Sequence, residues 1–338
     1  MVKIKKWSWL AVVSALAIGL GACGTTEGES ANPAEESTTK EVSDLKIGLL
    51  IKQLDAPYFA AMKKMGEDIA AEQGFELLVQ DAGADPVVQL DQAQTMVTLG
   101  VDALIVNAMS VDTQRDQLAQ LATQVPIIFV DYGIPGVGVA SVTSNNREIG
   151  RLSGLLTAAR FGEGTEITIA VLTGPPEDDV VGPARQAGFL AGLEEGGVTY
   201  VIVAEAPASW SQDQAVPAAE SMLAANPDVD LILGLNDSMA LGALTVLDDQ
   251  GNKSTMIAAA ADGQRQALEL ISKEGCMGRY ISTGLNSPAL ATNRAFEIAI
   301  AVATGKASAD DFEPVEYTQA AGINCENIGE FYDPASVF

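Results

Sequence analysis

The chain has 338 residues, with 45 acidic side chains, 19 basic ones, no histidine and a formal charge of −26. The missing histidine excludes Ser-His-Asp and Cys-His nucleophile systems, an imidazole base and imidazole metal ligation. The acidic surplus excludes nucleic acid as a partner, because neutralising phosphates takes clustered Lys and Arg.

Lys3, Lys5 and Lys6 precede an apolar run from Trp7 to Leu20, which ends in Gly21-Ala22-Cys23. A basic head, a short apolar stretch and small residues predict a signal peptide over 1–22 rather than a membrane span. The Leu-small-small-Cys ending resembles a bacterial lipobox, in which the cysteine is lipidated after cleavage. The alternative is ordinary secretory cleavage beside a cysteine. Residues 23–44 are rich in Gly, Ser, Thr, Glu and Ala, too polar to fold, and read as a flexible tether to the membrane outside the cytoplasm. Three lysines leave with the signal, taking the charge from −26 to −29.

From Lys46 onward, short β-rich apolar runs alternate with helical periods. Strands are predicted at Lys46–Ile51, Glu76–Gln80, Ala103–Val106, Ile127–Val130, Ile167–Leu172, Tyr200–Ala204, Leu231–Gly234 and Met256–Ala260. Helical stretches include Tyr58–Gln73, Val111–Gln124, Gly182–Glu195 and Ser238–Asp249. Near-continuous apolar strands suit parallel sheets buried on both faces, and strand–helix alternation implies doubly wound α/β winding. Eight strands and the length favour two such domains of roughly 150 residues each. A short internal echo supports the division: the Asp-led strand Val101–Asn107 resembles Val229–Asn236, and both end at Asn.

In open parallel sheets, ligands bind beyond the carboxyl ends of the strands. The residues following each predicted strand are Asp55-Ala56-Pro57-Tyr58-Phe59, Asn107, Asp131-Tyr132, the loop leading to Arg185, Trp210, Asn236-Asp237 and Asp262-Gly263; Asn286 follows Tyr280–Thr283. Carboxylates, amides and a guanidinium fork bind hydroxyls, while Tyr58, Phe59 and Trp210 offer flat apolar faces. This mixture suits a small polyhydroxylated ligand. Each residue also has a structural reading. Asn or Asp after a strand often caps the next helix, and one of Asn236-Asp237 is expected to do so. Pro57 suits a helix start, and Trp210 could simply cover a helix. Glu177-Asp178-Asp179 is a consecutive acidic run, read as a solvated or cleft-rim loop rather than a calcium cage. Cys276 and Cys325 remain after the signal; an even pair in an oxidising compartment suits one disulfide, the alternative being two buried thiols.

Leu235-Asn236-Asp237-Ser238-Met239-Ala240-Leu241-Gly242-Ala243, together with Ala56-Pro57-Tyr58-Phe59, Ser144-Asn145-Asn146, Arg185-Gln186-Ala187-Gly188-Phe189 and Ala261-Asp262-Gly263, resembles the periplasmic sugar-binding proteins of the ribose/galactose type. The likeness runs from about Lys46 to Tyr317. It implies two discontinuous lobes joined by three crossovers, 45–144 with 287–313 and 145–286 with 314–338, which places both Cys276 and Cys325 in the second. It implies that Tyr58 and Phe59 flank one side of a sugar and Trp210 the other, while Asn107, Asp131, Arg185, Asn236, Asp262 and Asn286 hold hydroxyls. The ribose pattern has Asn where this chain has Ala56, with Asp55 one place earlier, and Arg where it has Tyr132. Ribose contacts are therefore lost, and Tyr132 suits a hexose, polyol or cyclitol.

The function expected is a monomeric, lipid-anchored receptor without cofactor, metal or catalysis. It would deliver a small neutral sugar or polyol to an ABC permease. The rivals are a sensor presenting the ligand to a membrane protein, a glycosidase built on Asp131 and Asp262, and a repressor effector domain. Lack of histidine further predicts binding that is nearly flat through neutral pH.

Overall fold

The computed structural model describes residues 40–176, 178 and 180–338. The signal region, Cys23, most of the tether, Glu177 and Asp179 lie outside the described residues. The expected tether reaches 44, yet its last residues are docked. Val42–Asp44 form one 3₁₀ turn, and Lys40 Nζ lies 2.7 Å from an Asp102 carboxylate oxygen.

Two parallel sheets carry the fold. The first contains β1 (Lys46–Ile51), β2 (Glu76–Asp81), β3 (Ala103–Val106), β4 (Ile127–Val130) and β5 (Ala140–Thr143), connected through α1 (Pro57–Gln73), α2 (Pro86–Thr98) and α3 (Val111–Ala122). After α4 (Asn146–Phe161) the second sheet is built from β6 (Glu166–Thr173), β7 (Thr199–Pro207), β8 (Leu231–Gly234) and β9 (Met256–Ala259). Its helices are α5 (Val181–Glu195), α6 (Gln212–Ala225), α7 (Asp237–Asp249) and α8 (Arg265–Glu274). The chain then makes β10 (Ser282–Gly284), α9 (Pro288–Ala303), β11 (Val315–Tyr317) and β12 (Gly322–Asn324).

The strand orders are β11-β5-β4-β3-β1-β2 and β7-β6-β8-β9, parallel throughout. Each half therefore begins with the same winding, its first strand between its second and third. The sequence echo falls on β3 and β8, which occupy the same place in the two windings. Alternation within the apolar strands feeds two cores in the first sheet. Leu49, Ile105 and Ile128 face one side, and Leu50, Leu104 and Ile127 the other. That is how a strand with no polar residue satisfies a period of two. The second sheet has its own core around Val171, Phe189, Leu233 and Met239.

The chain passes between the sheets after β5, after β10 and after β11. The third passage corrects the expected boundary. β11 pairs with β5 in the first sheet, so residues 314–317 belong there, and the crossing falls between Tyr317 and Gly322. Strands β10, β11 and β12, at three residues each, and β5, whose Ala-Ser-Val-Thr is half polar, do not stand out from loop composition.

Helices α4 and α5 pack backbone to backbone. A Cβ on Gly154 would lie 2.0 Å from the Phe189 carbonyl oxygen, and one on Gly188 would lie 2.0 Å from that of Arg147. Gly188 in the Arg185–Phe189 motif is thus a close-approach residue that fixes α5, and Arg185 with it, against the first crossing. Cys276 and Cys325 are bonded, with Cα atoms 5.1 Å apart. The bond spans 49 residues, and loop closure of that size contributes about 4 kcal/mol in the chain-entropy model. Reduction is expected to lower the urea midpoint of the oxidised protein, with Cys325→Ser insensitive to reductant; equal midpoints with and without reductant would refute a stabilising bond.

Candidate ligand-binding site

A cavity of about 510 Å³ opens at the carboxyl ends of the strands of both sheets. Tyr58 and Phe59 come from the first turn of α1, whose start is set by Pro57. Asp131 and Tyr132 follow β4, Arg185 projects from α5, and Trp210 sits in the turn before α6. Asn236 and Asp262 follow β8 and β9, and Asn286 lies on the second crossing. The ladder ends place them together, as the switch-point rule anticipates.

Two expected residues lie elsewhere. Asp55 is exposed and outside the lining, accepting a 2.6 Å hydrogen bond from Gln53 Nε2. Asn107 is fully buried beneath the floor. Its Nδ2 donates to Val130 O and to Asp131 Oδ2, each at 3.1 Å, and its Oδ1 has no hydrogen-bond partner among the described residues. Asn107 therefore holds Asp131 rather than reaching the cavity.

The strand-end rule also points to Lys52, the first residue after β1, which the neighbouring Pro-aromatic motif overshadows in the sequence. Lys52 lines the cavity, with Nζ 4.4 Å from the Phe59 ring centroid and 3.9 Å from Asp131 Oδ2. Burial pushes its pKa down, and Asp131 pulls it partly back. Asp178, expected in a solvated or rim loop, lines the cavity and caps α5, its carboxylate accepting from Val181 N at 2.9 Å and Gly182 N at 2.6 Å. The capping role is visible only once the helix start is known.

The polar groups form one connected set. Arg185 Nε donates to Asn146 Oδ1 at 2.8 Å, and Nη1 donates to Leu235 O at 3.2 Å and to Asp262 Oδ1 at 3.5 Å. Asn286 Nδ2 donates to Asp262 Oδ1 at 3.2 Å, while Asn286 Oδ1 accepts from Ser144 Oγ at 2.8 Å and Tyr58 Oη at 3.5 Å. Ser144 Oγ also lies 3.0 Å from Thr318 Oγ1. Ser144, Asn286 and Thr318 belong to the three crossings, so this hydroxyl–amide knot ties the crossings to the cavity wall. Asn145 caps α4 by accepting from Glu148 N at 3.1 Å. Ser144-Asn145-Asn146 thus divides into a residue that joins the crossings, a cap and the residue that orients Arg185. Asn236 does cap α7, its Oδ1 accepting from Met239 N at 2.9 Å, and its Nδ2 donates to Trp210 O at 3.3 Å. Of the Asn236-Asp237 pair, the cap is the cavity residue.

Burial pushes the pKa of Asp262 up; Arg185 and the amide of Asn286 pull it down, and Asp131 pushes it further up. Tyr58 is raised well above an ordinary phenol by burial, Asp131 and Asp262, so its hydroxyl stays a donor. Behind the cavity the Asp237 carboxyl is pushed up to about 7, by burial first and by Asp262 second. The missing histidine therefore does not leave the molecule silent near neutrality.

Strain gathers here too. Ala84, Asp131, Ser209, Trp210 and Asp262 are the non-glycine residues of positive φ among the described residues, and all but Ser209 line the cavity. Such conformations persist where surrounding structure imposes them, commonly at binding sites. The indole of Trp210 is seated on glycine backbone: a Cβ on Gly174 would meet its Cζ2 at 2.4 Å.

The model of a periplasmic binding protein domain matches residues 47–307. The chain belongs to that family. Curated relatives include the ribose import binding protein of Bacillus subtilis, 26% identical over 85% of this chain and 90% of its own. The xylitol-binding protein of Mycolicibacterium smegmatis is 25% identical over 88% of this chain and 80% of its own. Among solved structures, an ABC transporter solute-binding protein from Mycobacterium smegmatis with bound glycerol has a TM-score of 0.76 at 24% identity, covering 87% of this chain and 98% of that one. A Caulobacter myo-inositol binding protein bound to myo-inositol has a TM-score of 0.73 at 24% identity, covering 89% and 98%. The fold is that of the type I periplasmic binding proteins, and these homologues are solute-binding proteins rather than enzymes. As a family member, the chain is an extracytoplasmic binding protein.

Proposed function

We propose that this periplasmic binding protein takes one neutral polyol or monosaccharide into its interlobe cavity and delivers it to an ABC importer. The two lobes, hinged at the three crossings, close on the ligand, and lipidated Cys23 tethers the receptor to the membrane. The observation that carries the reading is the mixture of charges, amides and aromatic faces in the cavity lining. Two cations, Lys52 and Arg185, share the lining with four carboxylates, Asp112, Asp131, Asp178 and Asp262, among amides and the aromatic rings of Tyr58, Phe59 and Trp210. Opposed donors and acceptors satisfy vicinal hydroxyls, which donate and accept at once, whereas an anionic ligand would meet a lining in which carboxylates outnumber cations. The named ligands of the relatives, ribose and xylitol, belong to the same chemical class.

A thermal-shift panel of xylitol, D-ribose, myo-inositol and D-allose tests this. At least one is expected to raise the melting temperature in proportion to log concentration. Silence across the panel would overturn the polyol reading. With the compound that binds, Trp210→Ala is expected to raise Kd about tenfold to a hundredfold, since an aromatic face on a sugar contributes contact area beyond its hydrogen bonds. Unchanged affinity would remove Trp210 from the site.

A further inference from the structure

The segment after β12 forms a fourth, noncovalent link between the lobes. Its root is fixed in the second lobe, where Cys325 is bonded to Cys276 and Ile328 packs on the second sheet's core. It then turns at Asp333, whose Oδ1 accepts from Ala335 N at 2.8 Å. Ser336 Oγ donates to Phe338 O at 2.7 Å and accepts from Phe338 N at 3.2 Å, which sets the direction of the last ring. That ring lies on the first sheet's core and meets Tyr58 edge-on, with centroids 5.5 Å apart and planes at 90°. Between its two anchors the segment roofs a second cavity of about 250 Å³, whose other walls include Met65 of α1, Leu268 of α8 and Leu285 and Pro288 at the second crossing. Asp262 lines this cavity as well as the first.

We propose that residues 325–338 are a strap across the hinge, and that Phe338 is a positioning residue that holds Tyr58 in the ligand-cavity wall. Lobes that part about three backbone crossings must slide or release any contact anchored on both. Phe338 is such a contact, and the disulfide gives its far end a covalent post. Tyr58 joins the ring contact to the hinge through its hydroxyl bond to Asn286. The effect on affinity rests on the receptor reading above; the effect on the first turn of α1 does not.

Hydrogen exchange of the ligand-free protein reads that turn directly, at the amides of Phe59 and Ala60 that donate to Ala56 O. Phe338→Ala is expected to speed their exchange about fivefold, the loss of one edge-to-face aromatic contact. Phe338→Tyr, which keeps the ring, should restore the original rate. Xylitol affinity by calorimetry should fall by a similar factor in Phe338→Ala and recover in Phe338→Tyr. Cys325→Ser should act like Phe338→Ala and add little to it, because both release the same strap. Exchange at Phe59 and Ala60 that is unchanged in Phe338→Ala, or faster exchange confined to residues 331–338, would overturn the proposal. If the parent protein binds no xylitol, the exchange result still decides the strap, and the calorimetry counts against xylitol as a ligand instead.

Discussion

Replacing Arg185 by alanine is expected to weaken ligand binding by at least about a hundredfold, and to destabilise the empty protein by about 3–5 kcal/mol. Arg185 is 5% exposed; its guanidinium donates to the amide oxygen of Asn146, the carbonyl of Leu235 and the carboxylate of Asp262, and lies 5.5 Å from the Trp210 ring centroid. Asp262 is itself buried at 4% exposure, and no other cation of the described residues forms an ion pair with it. Removing Arg185 would strand a buried carboxylate, whose escape is to bind a proton or admit water. The double variant Arg185→Ala/Asp262→Asn separates the two effects. It should regain most of the stability, since no charge is stranded, and none of the affinity, since the fork is still missing. Arg185→Lys should fall between, keeping the charge without the planar geometry. Urea midpoints and calorimetry on the four proteins measure this. If the double variant were as unstable as Arg185→Ala, the ion pair would not be the cause.

Much of this arrangement is legible in the sequence because parallel α/β folds place function at a predictable point in the chain. Strands β1, β3, β4 and β8 carry continuous apolar runs, so their ends are plain, and the residues after them are the right ones to inspect. What escapes has physical reasons. Asp55 and Lys52 lie within four positions of each other, yet helix α1 begins at Pro57 and only one of them faces the cavity. Direction after a strand end depends on where the helix starts, which composition marks only to within a turn. Asn107 sits at a strand end but one layer too deep. An amide that lines a cavity and one that orients a cavity carboxylate look alike in sequence. Strand β11 is invisible because three residues, Val315–Tyr317, gain their strand identity from pairing with β5, a contact between positions more than 170 apart. Asn236 shows the opposite case: the capping rule and the strand-end rule fall on one residue, which caps α7 and lines the cavity.

The stability of the protein is expected to fall as pH rises from about 4 to 7, and Asp237 is the group that drives it. Its carboxyl is fully buried, accepting from Tyr280 Oη and from Gln264 N, each at 2.6 Å. Burial and the neighbouring Asp262 raise its pKa from 3.8 to about 7, although both hydrogen bonds favour the anion. Between those two values the folded state holds a proton that the unfolded chain has released, so unfolding releases one and higher pH favours it. This group's stabilising share is complete below the unfolded pKa and is lost as pH passes the folded one. A rise of that size corresponds to about 4 kcal/mol. Mutual repulsion in a chain of charge −26 tilts stability the same way, so the variant Asp237→Asn is the measurement that isolates the carboxyl. An asparagine keeps the shape, with its oxygen toward Gln264 N–H and its amide donating to a rotated Tyr280 hydroxyl. Urea midpoints at pH 4.5 should nearly coincide for the two proteins, and at pH 8 the variant should be the more stable by a few kcal/mol. Parallel curves across that range would mean that Asp237 stays ionised in its buried site and that the slope belongs to Asp262 and to surface charge.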